Sequence, residues 1–112
     1  MGKSYTEMRN KERHNIDLKA TYSIKGQDKE QQDCKITNLS SSGATVHFPR
    51  TESLSSGSFV AMDITIPNTI LRIAAEAEVM WTRERFNELI SGIKFTGMLS
   101  DSMIRQLTKK TP

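Results

Sequence analysis

The sequence has one cysteine, Cys34, so no disulfide can close within the chain and no second thiolate is available for a zinc site. A reducing cytoplasm is the simplest compartment for such a protein. The two histidines, His14 and His47, stand far apart and lack metal-ligand companions, so no metal site is expected. No apolar run approaches the roughly 20 residues of a membrane helix. The N-terminus also lacks the apolar stretch of a secretory signal. Aromatic residues are few: four Phe, two Tyr and one Trp. Most fall at positions expected to face inward, which counts against an exposed stacking platform for single-stranded nucleic acid. No nucleophile–base pair, phosphate-binding loop or dinucleotide fingerprint is present, so catalytic residues, cofactors and enzymatic activity are not expected.

The chain of 112 residues suits one domain with one modest core. Its net charge is +3, a mild basic excess. The excess is sharper locally. Lys3, Arg9, Lys11 and Arg13 face only Glu7 and Glu12, a cluster suited to a small anionic partner. Residues 1–15 show no period and read as a flexible arm. Period-two alternation then begins, the mark of half-buried strands. Ile16, Leu18, Ala20, Tyr22 and Ile24 form one inward row, and Cys34 with Ile36 a second. Ala44, Val46 and Phe48 continue it, followed by Val60, Met62, Ile64 and Ile66. The longest row runs Leu71, Ile73, Ala75, Ala77, Val79, Trp81, which makes Trp81 a core residue. Its two alanines suit a crowded barrel interior. Glu76 and Glu78 lie on the outward face of the same run and read as solvated. Gly92 inside the next strand marks a bulge or bend.

After Gly97 the spacing changes. Leu99, Met103, Ile104 and Leu107 share one face of a short helix, with Ser100 as N-cap and Asp101 in the first turn. The expected fold is therefore mostly β: a small six-stranded antiparallel barrel over residues 16–98, a C-terminal helix over 99–110, and the arm in front.

Two short motifs stand out. Asn38-Leu39-Ser40-Ser41-Ser42-Gly43 joins two strands and offers an amide, three hydroxyls and backbone N–H groups on one tight turn. Gly43 would let the backbone take positive φ or approach a ligand closely. Upstream, Arg9 and Arg13 place two guanidiniums four residues apart. Each motif alone has a bland reading, a turn or a solvated arm.

Together and in this order, Arg9-x-x-x-Arg13 and Asn38-x-Ser40-x-x-Gly43 resemble the paired signature of the PilZ domain family, RxxxR followed by [D/N]xSxxG. The strand Glu76–Trp81, the Gly92–Phe95 run and the terminal helix extend the resemblance from about Met8 to Lys109. It implies binding of the bacterial second messenger cyclic di-GMP, a cytoplasmic location and no enzymatic activity. Arg9, Arg13, Asn38, Ser40 and Gly43 would carry the site. Arginine suits such a ligand because its planar fork pairs bidentately with guanine O6 and N7 or with phosphate. Asn38 accepts through one oxygen, so its base contact is expected to be weaker than that of the Asp often found there. Met8 precedes Arg9 where some members carry a further arginine, which leans toward one ligand per domain. Lys11 and His14 are near enough to assist, and a place beside the bound base is the alternative to the core reading of Trp81. The signal would pass to a downstream protein effector when the arm folds onto the turn. Two rival readings are a basic barrel for single-stranded nucleic acid and a PilZ-fold adaptor that binds no ligand.

Overall fold

Period-two alternation is realised as antiparallel strands in a computed structural model that describes residues 13–27 and 30–109. In chain order the elements are β1 (His14–Ile24), β2 (Gln32–Leu39), β3 (Gly43–Pro49), β4 (Phe59–Thr65), β5 (Arg72–Arg85), β6 (Glu88–Phe95) and α1 (Asp101–Thr108). The strands close into a barrel in the order β1-β2-β3-β6-β5-β4, and β1 returns to pair with β4 from Ala20↔Ile64 to Ile24↔Val60. The first strand starts at His14, two residues before the apolar alternation does, because His14 and Asn15 pair with Leu39 and Asn38 across the sheet. The expected arm therefore overlaps the barrel at these residues, and its remainder through Glu12 lies outside the described part.

The inward rows meet in one core. Ile36, Leu39, Val46, Val60, Ile64, Ala77 and Val79 are fully buried, and Tyr22 packs edge-to-face on Phe48 with ring centres 4.7 Å apart. Tyr22 keeps its hydroxyl satisfied by donating to the Glu52 carboxylate. Burial, then the Glu52 hydrogen bond and charge, then Cys34, push the Tyr22 phenol well above its ordinary value. Ser91 is buried in the same interior, and its hydroxyl has no hydrogen-bond partner among the described residues.

The helix begins where Ser100 Oγ accepts from the Met103 N–H at 3.1 Å, with Asp101 in the first turn and Arg105 in the last. Leu99 and Leu107 insert into the core, and Met103 and Ile104 pack against it. The Leu99 N–H donates to the Ser41 carbonyl at 2.8 Å, so the helix covers the barrel end that carries the β2–β3 turn. Leu54, from the loop between β3 and β4, is likewise part of the core. Among the described residues, no helix is long and apolar enough to cross a membrane.

Candidate functional site

Three irregularities in the ladders lie around the β2–β3 turn. They fall between Asn15 and Leu18 on β1, between Ile36 and Asn38 on β2, and between Val79 and Trp81 on β5. A bulge inserts one residue and reverses which face the following side chains take. Strict alternation from Cys34 and Ile36 would send Asn38 into the core. With Thr37 as the extra residue, Leu39 turns inward to complete burial and Asn38 pairs with Thr45 on the outer face. The same shift at Met80 corrects the reading of Trp81. It is not a core residue: it is 44% exposed and paired with Gly92 on the outside. Leu71, at the other end of that row, is also outside, 61% exposed just before β5 starts.

The result is an outward row across five neighbouring strands, Asn15–Asn38–Thr45–Gly92–Trp81, linked pair by pair by the register. Directly opposed side chains in such a row are about 5 Å apart. Gly92 is the floor on which the indole lies, since a Cβ there would overlap the Trp81 ring. The bulge expected at Gly92 sits on the facing strand. The Arg83 guanidinium lies 5.9 Å from the Trp81 ring centre.

The turn is built by its own polar atoms. Ser40 N–H donates to the Gly43 carbonyl at 2.9 Å, and Gly43 N–H donates to Ser40 Oγ at 3.3 Å. Ser40 Oγ also lies 3.4 Å from Ser42 Oγ, and the residue is 6% exposed. Its hydroxyl is committed to the shape of the turn. The carbonyls of Ser41 and Ser42 accept from the N–H groups of Leu99 and Phe95, each at 2.8 Å, which anchors the turn to β6 and to the segment before α1. Gly43 has no positive φ. It is glycine because a Cβ would overlap the Ile93 carbonyl oxygen of β6, so the close approach is strand to strand.

Of the sequence-derived site residues, the fold brings Arg13, Asn38, Ser40 and Gly43 to one edge of this face. Asn38 Nδ2 donates to Asn15 Oδ1 at 3.2 Å, leaving its own oxygen directed to no described partner. Arg13 is exposed and leads straight into the two residues that pair with Leu39 and Asn38. Half-buried His14 stands opposite Leu39. Arg9, Lys11 and Met8 lie outside the described residues. Asn15 and Thr45 join the row without having been singled out in the sequence. No motif marks them, and only register places them there.

A separate cavity of about 600 Å³ opens where β2 and β3 part beyond the Lys35↔His47 pair. Its walls neutralise themselves: Lys35 lies 3.7 Å from Asp17, and His47 bridges Glu88 at 3.0 Å and Thr37 at 3.1 Å. On its floor, burial and then Asp33 push the Cys34 thiol up to about 12, which keeps it protonated. The row and the turn, not this cavity, combine exposed polar groups with an aromatic face. On the opposite side of the barrel, Glu76 holds Lys25 at 2.8 Å in the solvent-exposed pair expected of a strand surface.

The fold is thus a closed six-stranded barrel with a capping helix, carrying a polar turn beside an outward aromatic. The chain belongs to the PilZ domain family, whose profile matches residues 7–110. Among solved structures, the Bacillus subtilis inhibitor of motility (MotI/DgrA) is similar in fold, with a TM-score of 0.68 at 17% identity over 88% of this chain. The match spans 47% of that protein, so this chain corresponds to about half of it. No curated protein sequence matches the chain.

Proposed function

We propose that this PilZ domain is a receptor for cyclic di-GMP, bound on the outer face from Arg13 and Asn38 to Trp81. The observation that carries the reading is the row itself. Bulges in β2 and β5 turn Asn38 and Trp81 outward, in line with Asn15 and beside a rigid turn, at the point where Arg13 enters the barrel. Each group has a use suited to a dianionic ligand with two guanines. Arg13 supplies a planar fork for phosphate or for guanine O6 and N7. Asn38 offers its free oxygen to a base edge. Trp81 presents a ring on which a base can stack, a contact worth about 1–3 kcal/mol per base. Ser40 and Gly43 act by holding the turn in shape. Arg9, four residues before Arg13, closes over the ligand from the arm. The ordered arm then presents a new surface to a protein effector, so the domain binds and relays and does not catalyse.

The test is calorimetric titration with cyclic di-GMP, repeated on Arg13→Ala. Losing a charge-assisted bidentate contact is expected to weaken binding by roughly 1.5–3 kcal/mol, more than tenfold. Trp81 emission should change on saturation. Unchanged affinity in the variant would refute the assignment of Arg13. Silence toward the dinucleotide in the unmodified chain would leave the ligand-free adaptor reading in its place.

A further inference from the structure

The second half of β5 leaves the barrel ladder on one side. β4 pairs with β5 only between Arg72 and Glu78, and Gly57 and Ser58 add the bonds at Val79. On its other side β5 stays paired with β6 out to Arg85↔Glu88. Residues 82–85 thus form a strand edge to which no described residue supplies a second ladder. Unpaired N–H and C=O groups of this kind template another strand.

The side chains along this edge share a pattern. Trp81, Arg83 and Arg85 alternate onto the outer face. Neither arginine has a carboxylate partner among the described residues. Arg83 lies against Trp81, and Arg85 lies 5.7 Å from the ring centre of Phe86. Glu88, opposite Arg85, has its carboxylate on His47. Phe86 is 83% exposed and holds φ at +55°, a region that a bulky side chain adopts only at some cost. Two uncommitted cations between two exposed aromatic rings go beyond what is needed to keep an edge soluble.

We propose that this edge docks an extended, acidic segment of a partner protein by strand addition. The partner backbone pairs with residues 82–85, its acidic side chains meet Arg83 and Arg85, and Trp81 and Phe86 supply apolar contact. A second copy of the chain fits poorly, because antiparallel pairing of two such edges sets arginines against arginines. Nucleic acid also fits poorly, since a phosphate backbone has nothing to pair with a strand edge. The edge starts one residue beyond Trp81, which ends the candidate ligand face, so ligand on Trp81 and partner on Arg83 are neighbours. The inference itself stands without the ligand.

The full chain, labelled with nitrogen-15 and free of cyclic di-GMP, is titrated with a blocked hexapeptide of alternating glutamate and valine. Saturable amide shifts centred on residues 82–85 are expected. A lysine–valine peptide should bind at least about tenfold more weakly, and Arg83→Glu/Arg85→Glu should lose roughly tenfold for the acidic peptide with an unchanged melting curve. A version of the acidic peptide with alternate amides N-methylated should not bind. Absent or scattered shifts, equal affinity for the basic or the methylated peptide, preference for an oligothymidylate, or dimerisation of the chain through this edge would each overturn the proposal.

Discussion

Asn38 is held by one neighbour and open to another. Its amide nitrogen donates to Asn15, and its oxygen stays available. Asn38→Asp should therefore bind cyclic di-GMP more tightly by roughly 1 kcal/mol, because a carboxylate accepts from guanine N1–H and N2–H₂ together. The Asn15 amide can rotate to donate to the new carboxylate. Calorimetry on the variant checks this, and no gain would count against a base edge at this position. Ser91 is the opposite case, a buried hydroxyl with no partner among the described residues. Ser91→Ala removes an unsatisfied group and is expected to leave stability unchanged or raise it by up to about 1 kcal/mol in urea unfolding. A loss of several kcal/mol would show that the hydroxyl has a partner. Neither commitment is written in the local sequence. Asn38 could be read as a candidate ligand group from its motif, but Asn15 as its partner follows only from the β1–β2 register.

At the scale of elements, the bulges decide what the site contains. The alternation of Leu18, Ala20, Tyr22 and of Val60, Met62, Ile64 was legible because the period runs unbroken through those residues. β2 and β5 change face partway along. Period two carried through Thr37 and Met80 therefore puts the later residues of each strand on the wrong face, Trp81 among them. Gly92 marks the place from the facing strand. Gly92→Ala should force the indole off its floor. The expected result is an altered Trp81 emission maximum and cyclic di-GMP affinity reduced severalfold, by about 1 kcal/mol, because the stacking ring is misplaced. Unchanged emission and affinity would remove Trp81 from the proposed face. Gly43 was expected to take positive φ or approach a ligand; its φ is not positive, and what a Cβ there would meet is the Ile93 carbonyl across the sheet.

For the whole molecule, the core holds two acids in their neutral forms. The Cys34 thiol is pushed up from 9.0 to about 12 by burial and then Asp33, and the Tyr22 phenol is raised chiefly by burial. Well below pH 9 both groups are protonated whether the chain is folded or not, so this contribution to stability is complete. As pH rises the unfolded chain releases these protons first, and stability falls. The Cys34 share is about 1.4 kcal/mol per pH unit across its window. Urea midpoints measured at about pH 8 and about pH 10.5 should differ, with a smaller difference in Cys34→Ala. Equal slopes in the two proteins would show that the thiol is not the group responsible. The same closure that buries these acids joins the β2–β3 turn to the helix through Ser41 and Leu99, so the turn cannot shift without disturbing the segment before α1.

What the sequence determined by itself was the periodicity and the chemistry: β strands where apolar residues recur every second position, a helix where they recur at three and four, and the RxxxR and NxSxxG signatures. These are local properties, set by pleat, turn propensity and residue type. Only the tertiary structure decided which face each functional side chain takes. That depends on one extra residue in a ladder, and a bulge is stabilised by the pairing of distant strands and not by the residues that form it. The Asn38–Gly43 turn is thus a rigid corner, and the exposed row it adjoins was assembled by register.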